Sequence, residues 1–354
     1  MTVKRSRRKS NRLPGPIRIL VLMHEDLVPP SSLDGLADTQ RLRVQTEFDV
    51  TTTLKKMRHE VLPLGVASDL GVLRDTLNEF QPKITFNLLE EFHGVAVYDQ
   101  HVVSYLELMK RSYTGCNPRG LMLAHDKALS KKIMAYHRIP VPQFAVFPLG
   151  NKVRRPKHLK FPLLVKSLTE EASEGIAQAS VVHDDAHMKE RAEFIHRQFA
   201  TDAIAESYIE GRELYVGVMG NRRLQTMPIW ELRFSKMPDD LEKIATSKVK
   251  WDVNYQRKHG IVYEKARNLA PEIAERVVRI CKRTYRSLHL TGYARIDLRL
   301  MEDGKVYVLE ANPNPDLSCE GEFSASANAM GLDYRELLGR ILKLGLSYRA
   351  EWQE

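Results

Sequence analysis

Cysteine is scarce in this chain: three among 354 residues, at Cys116, Cys281 and Cys319. They are odd in number, far apart and free of any CxxC or zinc-like spacing, which argues for a reducing cytoplasm. Also missing is any run approaching the ~20 apolar residues that a membrane span requires. The N-terminus lacks the apolar stretch of a secretory signal. Internal repeats are absent, and so is low-complexity sequence beyond one short basic arm.

What remains is an ordinary composition for a soluble enzyme, 43% hydrophobic and 28% charged, long enough for two or three domains. The formal net charge of +9 is unevenly spread: residues 1–12, MTVKRSRRKSNR, hold six Lys and Arg and no acid, leaving +3 (9 − 6) for the rest. Such an arm can bind phosphate or anionic lipid nonspecifically. A disordered, solubilising terminus over residues 1–16 is the expectation here, with neither nucleic acid nor membrane as partner.

Strand and helix signals alternate after the arm. IRILVLMH (17–24), HEVLPLGV and PKITFNLLE read as strands, separated by helices over about 42–58 and over DLGVLRDTLNEF. That order predicts a parallel, doubly wound α/β unit over 17–120. A helix over about 124–137, the strand FPLLVKSL, the helix DDAHMKERAEFIHRQF and two strands around Glu210-Gly211 follow. Residues 233–260 are polar and basic without periodicity and predict a long active-site loop. PEIAERVVRICKRTYRSLHL and 333–347 read as helices. The fold class expected is α/β with an α+β C-terminal half.

Chemistry concentrates in ARIDLRLMEDGKVYVLEANPNP, residues 294–315. If Asp303-Gly304 forms a two-residue turn, Glu302 lies opposite Lys305, Asp297 opposite Glu310 and Arg295 opposite Asn312. Period-two alternation then puts those four polar side chains on one face, with Val308 among them. Two carboxylates and a carboxamide suit Mg²⁺, which takes hard oxygen ligands; a solvated face with cross-strand ion pairs is the plainer alternative. Lys166 ends an apolar strand before a loop of small and polar residues that includes Gly175. It is read either as a phosphate ligand or as a lysine snorkelling at a strand end. Glu206 and Glu213 flank a strand edge that could recognise an adenine and a ribose, or form a plain hairpin.

Taken in order, TFNLLEEFHG, YLELMKRSYTG, HDKALSKKIMAYHRIPVP, FPLLVK, SEGI, AESYIEGRE and YARIDLRL…VYVLEANPNP resemble the ATP-grasp superfamily, and within it the D-alanine–D-alanine ligases, across most of residues 17–345. The resemblance implies an ATP-grasp fold behind an N-terminal Rossmann-like domain, with a central subdomain over 121–210 and a C-terminal one over 211–354. It implies ATP and two Mg²⁺ ions, with Mn²⁺ as a substitute, and a cytoplasmic ligase that activates a carboxylate as an acyl phosphate for attack by an amine. Small amino acids or peptides would be the substrates and a homodimer the assembly. By position, Lys127 and Lys166 would contact phosphates, with Ser173 and Gly175 in the closing loop. Glu206, Tyr208 and Ile209 would hold adenine, and Glu213 the ribose. Asp297, Glu310 and Asn312 would hold metal, and Arg295 would stabilise the tetrahedral intermediate. The mobile loop TSKVKWDVNY would supply Lys250 and Trp251, with Lys248 as a rival.

The chain departs from this family on the substrate side. The family's Ser-Ala-Glu after the first strand is replaced by MHEDLVPPSSLDGLADTQ, and Asp316 stands where a glycine is usual. A related ligase with a different amino-acid, peptide or natural-product substrate is therefore the alternative enzymatic reading. A nucleotide-binding regulator without turnover is the non-enzymatic one.

Overall fold

The structure is a computed structural model and describes residues 15–170, 175–238 and 241–350. The basic arm through residue 14 and Ser173 lie outside the described residues. So does the Trp251 side chain.

Three sheets follow one another along the chain. The first contains β1 (Arg18–His24), β2 (Glu60–Val66) and β3 (Ile84–Asn87), all parallel in the order β2-β1-β3. Helices α1 (Asp38–Lys56) and α2 (Leu70–Phe80) connect them, as the alternation predicted. Alternate β1 residues serve two cores. Ile19, Val21 and Met23 pack with Val50 and Leu54 of α1, whereas Leu20 and Leu22 pack with Leu73 and Leu77 of α2. Next come α3 (Asp99–Leu108), α4 (Pro118–His125) and α5 (Lys127–Tyr136). The single helix expected over 124–137 is thus two, because Asp126 takes an extended conformation and caps α5 through its side chain on Leu129 N.

The second sheet is antiparallel, ordered β4-β7-β5-β6, from β4 (Phe144–Phe147), β5 (Leu163–Ser167), β6 (Val181–Val182) and β7 (Ala203–Ser207). Helix α6 (Asp185–Phe199) covers one face, packing Met188, Ala192 and Ile195 on Leu163, Val165 and Ala205. The other face carries Leu164, Lys166 and Glu206.

The third sheet runs β11-β10-β8-β12-β13, with β9 paired to β8. Its members are β8 (Arg212–Met219), β9 (Gln225–Thr226), β10 (Trp230–Phe234), β11 (Ile261–Lys265), β12 (Tyr293–Leu300) and β13 (Val306–Pro313). The segment expected to be one long loop over 233–260 instead contains the end of β10 and two short helices, α7 (Ser247–Trp251) and α8 (Val253–His259). Helix α9 (Pro271–Ser287) packs Val277, Ile280 and Cys281 against Val216, Ile296 and Leu298 on the sheet's rear face. Helices α10 (Glu322–Asn328) and α11 (Tyr334–Ser347) follow, and Leu337 and Ile341 of α11 return to the first sheet beside Ile19 and Phe86.

The plain hairpin that was the alternative reading of residues 203–219 does not form. Its strands β7 and β8 belong to different sheets, so Glu210-Gly211 is the crossover between them. Gly211 has φ +139°, and a Cβ there would lie 2.2 Å from the Leu300 carbonyl oxygen. Only glycine lets the two backbones approach this closely.

Candidate active site

The β12–β13 register pairs Arg295 with Asn312 and Asp297 with Glu310, as the sequence predicted, but by another route. The connection has three residues rather than two: Met301 N donates to Lys305 O at 2.9 Å, and Gly304 takes φ +80°. That shifts the pairing by one residue up to Leu298–Val308. A β-bulge at Leu309 shifts it back before Glu310. Val308 consequently turns to the rear core with Leu298 and Ile296, and is not on the polar face.

On that face Arg295 grips Asp297 with Nε and Nη2, at 2.8 and 2.9 Å, and reaches Glu322 with Nη1 at 3.3 Å. Asn312 Nδ2 donates to Asp297 Oδ2 at 2.9 Å. Burial raises the Asp297 carboxyl; Arg295 opposes the shift, and the neighbouring Glu310 carboxylate adds to it. Two carboxylates repelling at close range, with a carboxamide whose oxygen and nitrogen exchange places on a half-turn, form a hard-oxygen donor set that suits a divalent cation. The residues present therefore fit Mg²⁺.

Lysines converge on the same place. Lys166 Nζ lies 3.4 Å from Glu206 Oε1 and 3.6 Å from Glu310 Oε2, and Lys131 Nζ lies 3.4 Å from the same Glu206 oxygen. Lys127 Nζ donates to the carbonyls of Glu170 (2.6 Å) and Leu168 (3.4 Å). Burial alone would raise the Glu310 carboxyl. Instead Lys166, Lys127, Lys250 and Lys131 hold it well below the carboxylate range. The Lys131 ammonium, fully buried, is lowered by that burial despite Glu206. Four ammonium groups thus act on Glu310 from one small region, an environment suited to a polyanion.

Lys166, Lys250, Glu206, Asp297 and Glu310 line a cavity between the second and third sheets, whereas Lys127, Lys131, Arg295 and Asn312 stand outside its lining. One wall is Lys166, Glu206, Tyr208 and Ile209; the other is Glu213, Asp297, Arg299 and Glu310. Two segments roof it. Ile176 comes from the loop after β5, and Ile244, Ala245 and Lys250 come from the segment around α7. The roof is clasped: Gln178 and Glu242 exchange side-chain-to-backbone bonds of 3.0 and 2.8 Å, and Ser247 N donates to Ile176 O at 3.2 Å.

Among the described residues, those singled out in the sequence have definite places. Lys250 lines the cavity, whereas Lys248 is exposed. Gly175 does not line it. Its carbonyl accepts from Arg191, and a Cβ would meet the Phe199 ring at 2.6 Å. Tyr208 donates its backbone N–H to Pro162 O at 3.0 Å, and burial pushes its phenol up to about 12. Both Glu213 oxygens are taken, by Tyr215 OH at 2.5 Å and Arg299 Nη2 at 2.6 Å. Lys131, Arg299 and Glu322 escaped sequence reasoning. For the first two a signal existed: Lys131 is one helical turn past Lys127, and Arg299 shares strand parity with Arg295 and Asp297. Nothing local marks Glu322, which reaches the site only through the fold.

Comparison with known proteins gives the chain's family and fold. The family model described as D-ala D-ala ligase C-terminus matches residues 133–343. A protein of Sinorhizobium fredii, "Uncharacterized protein y4sG", is 30% identical over 83% of this chain and 85% of its own. A D-alanine–D-alanine ligase of Desulforudis audaxviator is 27% identical, covering 88% of this chain and 96% of its own. Among solved structures, that of a D-alanine–D-alanine ligase from Bacillus anthracis complexed with ATP superposes with a TM-score of 0.72 at 22% identity, over 93% of this chain and 97% of that one. The chain belongs to the D-alanine–D-alanine ligase family, and its fold is the ATP-grasp fold behind an N-terminal Rossmann-like sheet.

Proposed function

We propose that this protein is an ATP-dependent carbon–nitrogen ligase that releases ADP and joins a small amino-acid carboxylate to an amine in a peptide-type bond. The convergence of Lys127, Lys131, Lys166 and Lys250 on Glu310 carries the reading, because so concentrated a positive field beside hard-oxygen donors suits a nucleoside triphosphate. Tyr208 and Ile209 would hold the adenine, with Glu206 fixing the Lys131 and Lys166 ammonium groups beneath it. Glu213, oriented by Arg299, would face the ribose. Ser173 and Gly175 belong to the loop that would close over the phosphates.

Asp297, Glu310 and Asn312 would hold one or two Mg²⁺ ions, which when bound neutralise charge on the transferring phosphoryl group. Substrate carboxylate oxygen would attack the γ-phosphorus, giving an acyl phosphate and ADP. The amine would then add to the acyl carbon, and phosphate would leave with that oxygen. Arg295, held rigid by Asp297 and Glu322, would donate to the oxyanion formed in between. Lys250 would move in with the roof segment to meet the γ-phosphate. We also propose units 17–120, 121–210 and 211–354 as the folding divisions of the chain.

Replacing Lys166 with alanine is expected to weaken ATP binding by roughly tenfold or more in calorimetry. An unchanged Kd would return Lys166 to a structural role.

A further inference from the structure

Two successive residues of β13, Leu309 and Glu310, both line the cavity between the second and third sheets. A regular strand forbids this, because neighbouring side chains point to opposite faces. The bulge permits it: Leu298 pairs with Val308 and Asp297 with Glu310, so Leu309 has no partner on β12. Were the ladder continuous from Leu298–Val308, Asp297 would face Leu309. Glu310 would then oppose Ile296, whose side chain belongs to the rear core under α9. The place of Glu310 beside Asp297 thus depends on the bulge.

β13 is an edge strand of the third sheet, and its bulge is fastened from α5 and the turn after it. Lys131 Nζ donates to the Leu309 carbonyl, and Val308 N donates to Pro140 O at 2.9 Å. Lys131 is fully buried and stands outside the cavity lining, so unlike Lys166 and Lys250 it does not reach a nucleotide held there. A methionine would fill similar space without the cost of burying an ammonium. The charge is therefore accounted for by what it touches. Besides the Leu309 carbonyl that is Glu206 Oε1, 3.4 Å away, which Lys166 shares at the same distance. Lys166 in turn lies 3.6 Å from Glu310 Oε2. Lys131, Glu206, Lys166, Glu310 and Leu309 thus close a ring that joins α5 to both sheets.

We infer that Lys131 is a positioning residue: it fastens the Leu309 bulge and so sets Glu310 beside Asp297 as a metal ligand, without touching nucleotide or metal itself. The inference rests on the ligase reading above, in which Glu310 holds Mg²⁺. Its hydrogen-bond donation matters more than its charge. Lys166 and Lys250 remain in the cavity wall to supply a positive field, whereas Lys131 is the side chain that reaches the Leu309 carbonyl. An acceptor deprived of its donor in a buried setting costs more than the bond itself was worth, which favours relaxation of the bulge.

Two variants separate the donor from the charge. Lys131→Met removes both; Lys131→Gln keeps an N–H donor, one bond shorter, and removes the charge. ADP is titrated against the full chain by calorimetry, once with saturating Mn²⁺ and once in EDTA, and the ratio of the two constants is what the metal adds. The native chain is expected to gain roughly tenfold or more from Mn²⁺, and Lys131→Met is expected to lose most of that gain while its metal-free Kd changes less than about threefold. Lys131→Gln is expected to keep the gain within about threefold of native, and it tests the inference by itself should Lys131→Met not fold. A native gain in Lys131→Met overturns the inference alone. So does an equal loss in both variants, which would assign the effect to charge, or a metal-free Kd weakened as much as the Mn²⁺ gain, which would make Lys131 part of the phosphate field. A native chain that binds no ADP, or gains nothing from Mn²⁺, removes the nucleotide or metal assignment and the inference with it.

Discussion

Glu47 of α1 is only 5% exposed, yet it is a carboxylic acid beside Asp316. Burial, with Asp316 adding repulsion, pushes its pKa from 4.5 up to about 7. The folded chain thus keeps a proton that the unfolded chain releases, so stability falls as pH rises from 4.5 towards 7 and is constant above. Glu47→Gln is expected to leave stability unchanged near pH 4 and to raise it by up to about 3 kcal/mol near pH 8, measured by urea denaturation. Asp316 itself is occupied, accepting from Thr46 Oγ1 at 2.5 Å and from Ser318 Oγ at 2.6 Å. The residue that most departs from the family pattern therefore ties α1 to the loop after β13. At the proposed metal site, Asp297→Asn and Glu310→Gln should each lower turnover by roughly 10²–10³ with the melting temperature little changed. ADP formation near the native rate would remove the metal assignment. Chemistry at this scale was largely legible: most residues read from motif and alternation line the cavity. Lys131 was passed over although helical spacing placed it beside Lys127, and Glu322 was invisible because α10 meets β12 only through long-range packing.

Elements were legible where periodicity was strong and misleading where two devices compensated. A three-residue turn displaces the β12–β13 pairing, and the Leu309 bulge restores it. The predicted facing of Asp297 and Glu310 was therefore right while the predicted turn and the side of Val308 were wrong. Lys131 donates to the Leu309 carbonyl, so the bulge is tied into the lysine cluster that it helps to position. The false hairpin at 203–219 has a different cause. Two strands with a glycine between them look alike whether they fold back or cross between sheets, because the distinction is tertiary. Gly211→Ala tests that crossover. With Leu300 O in the way, it is expected to cost roughly 2 kcal/mol or more and to weaken ATP binding, since Glu206 and Glu213 flank the crossing. A melting temperature and nucleotide Kd equal to the native values would show that the close approach carries no such constraint.

Across the whole molecule, two sheets enclose the charged cavity while the first sheet and α11 share a core with the third. Among the described residues no helix is long and apolar enough to cross a membrane. Removing residues 1–12 takes away six positive charges. The truncated chain is expected to release ADP at the native rate and to elute from a polyanion column at lower salt; slower turnover would bring the arm into the site. The central claim, that a carboxylate is activated by phosphoryl transfer, is tested most directly by the fate of an oxygen atom. Amino acids of both stereochemistries carrying ¹⁸O in the carboxylate are incubated with ATP and Mg²⁺, and the released inorganic phosphate is analysed by mass spectrometry. The account predicts one labelled oxygen in each phosphate, with ADP formed in equal amount. Unlabelled phosphate, or AMP in place of ADP, would contradict it.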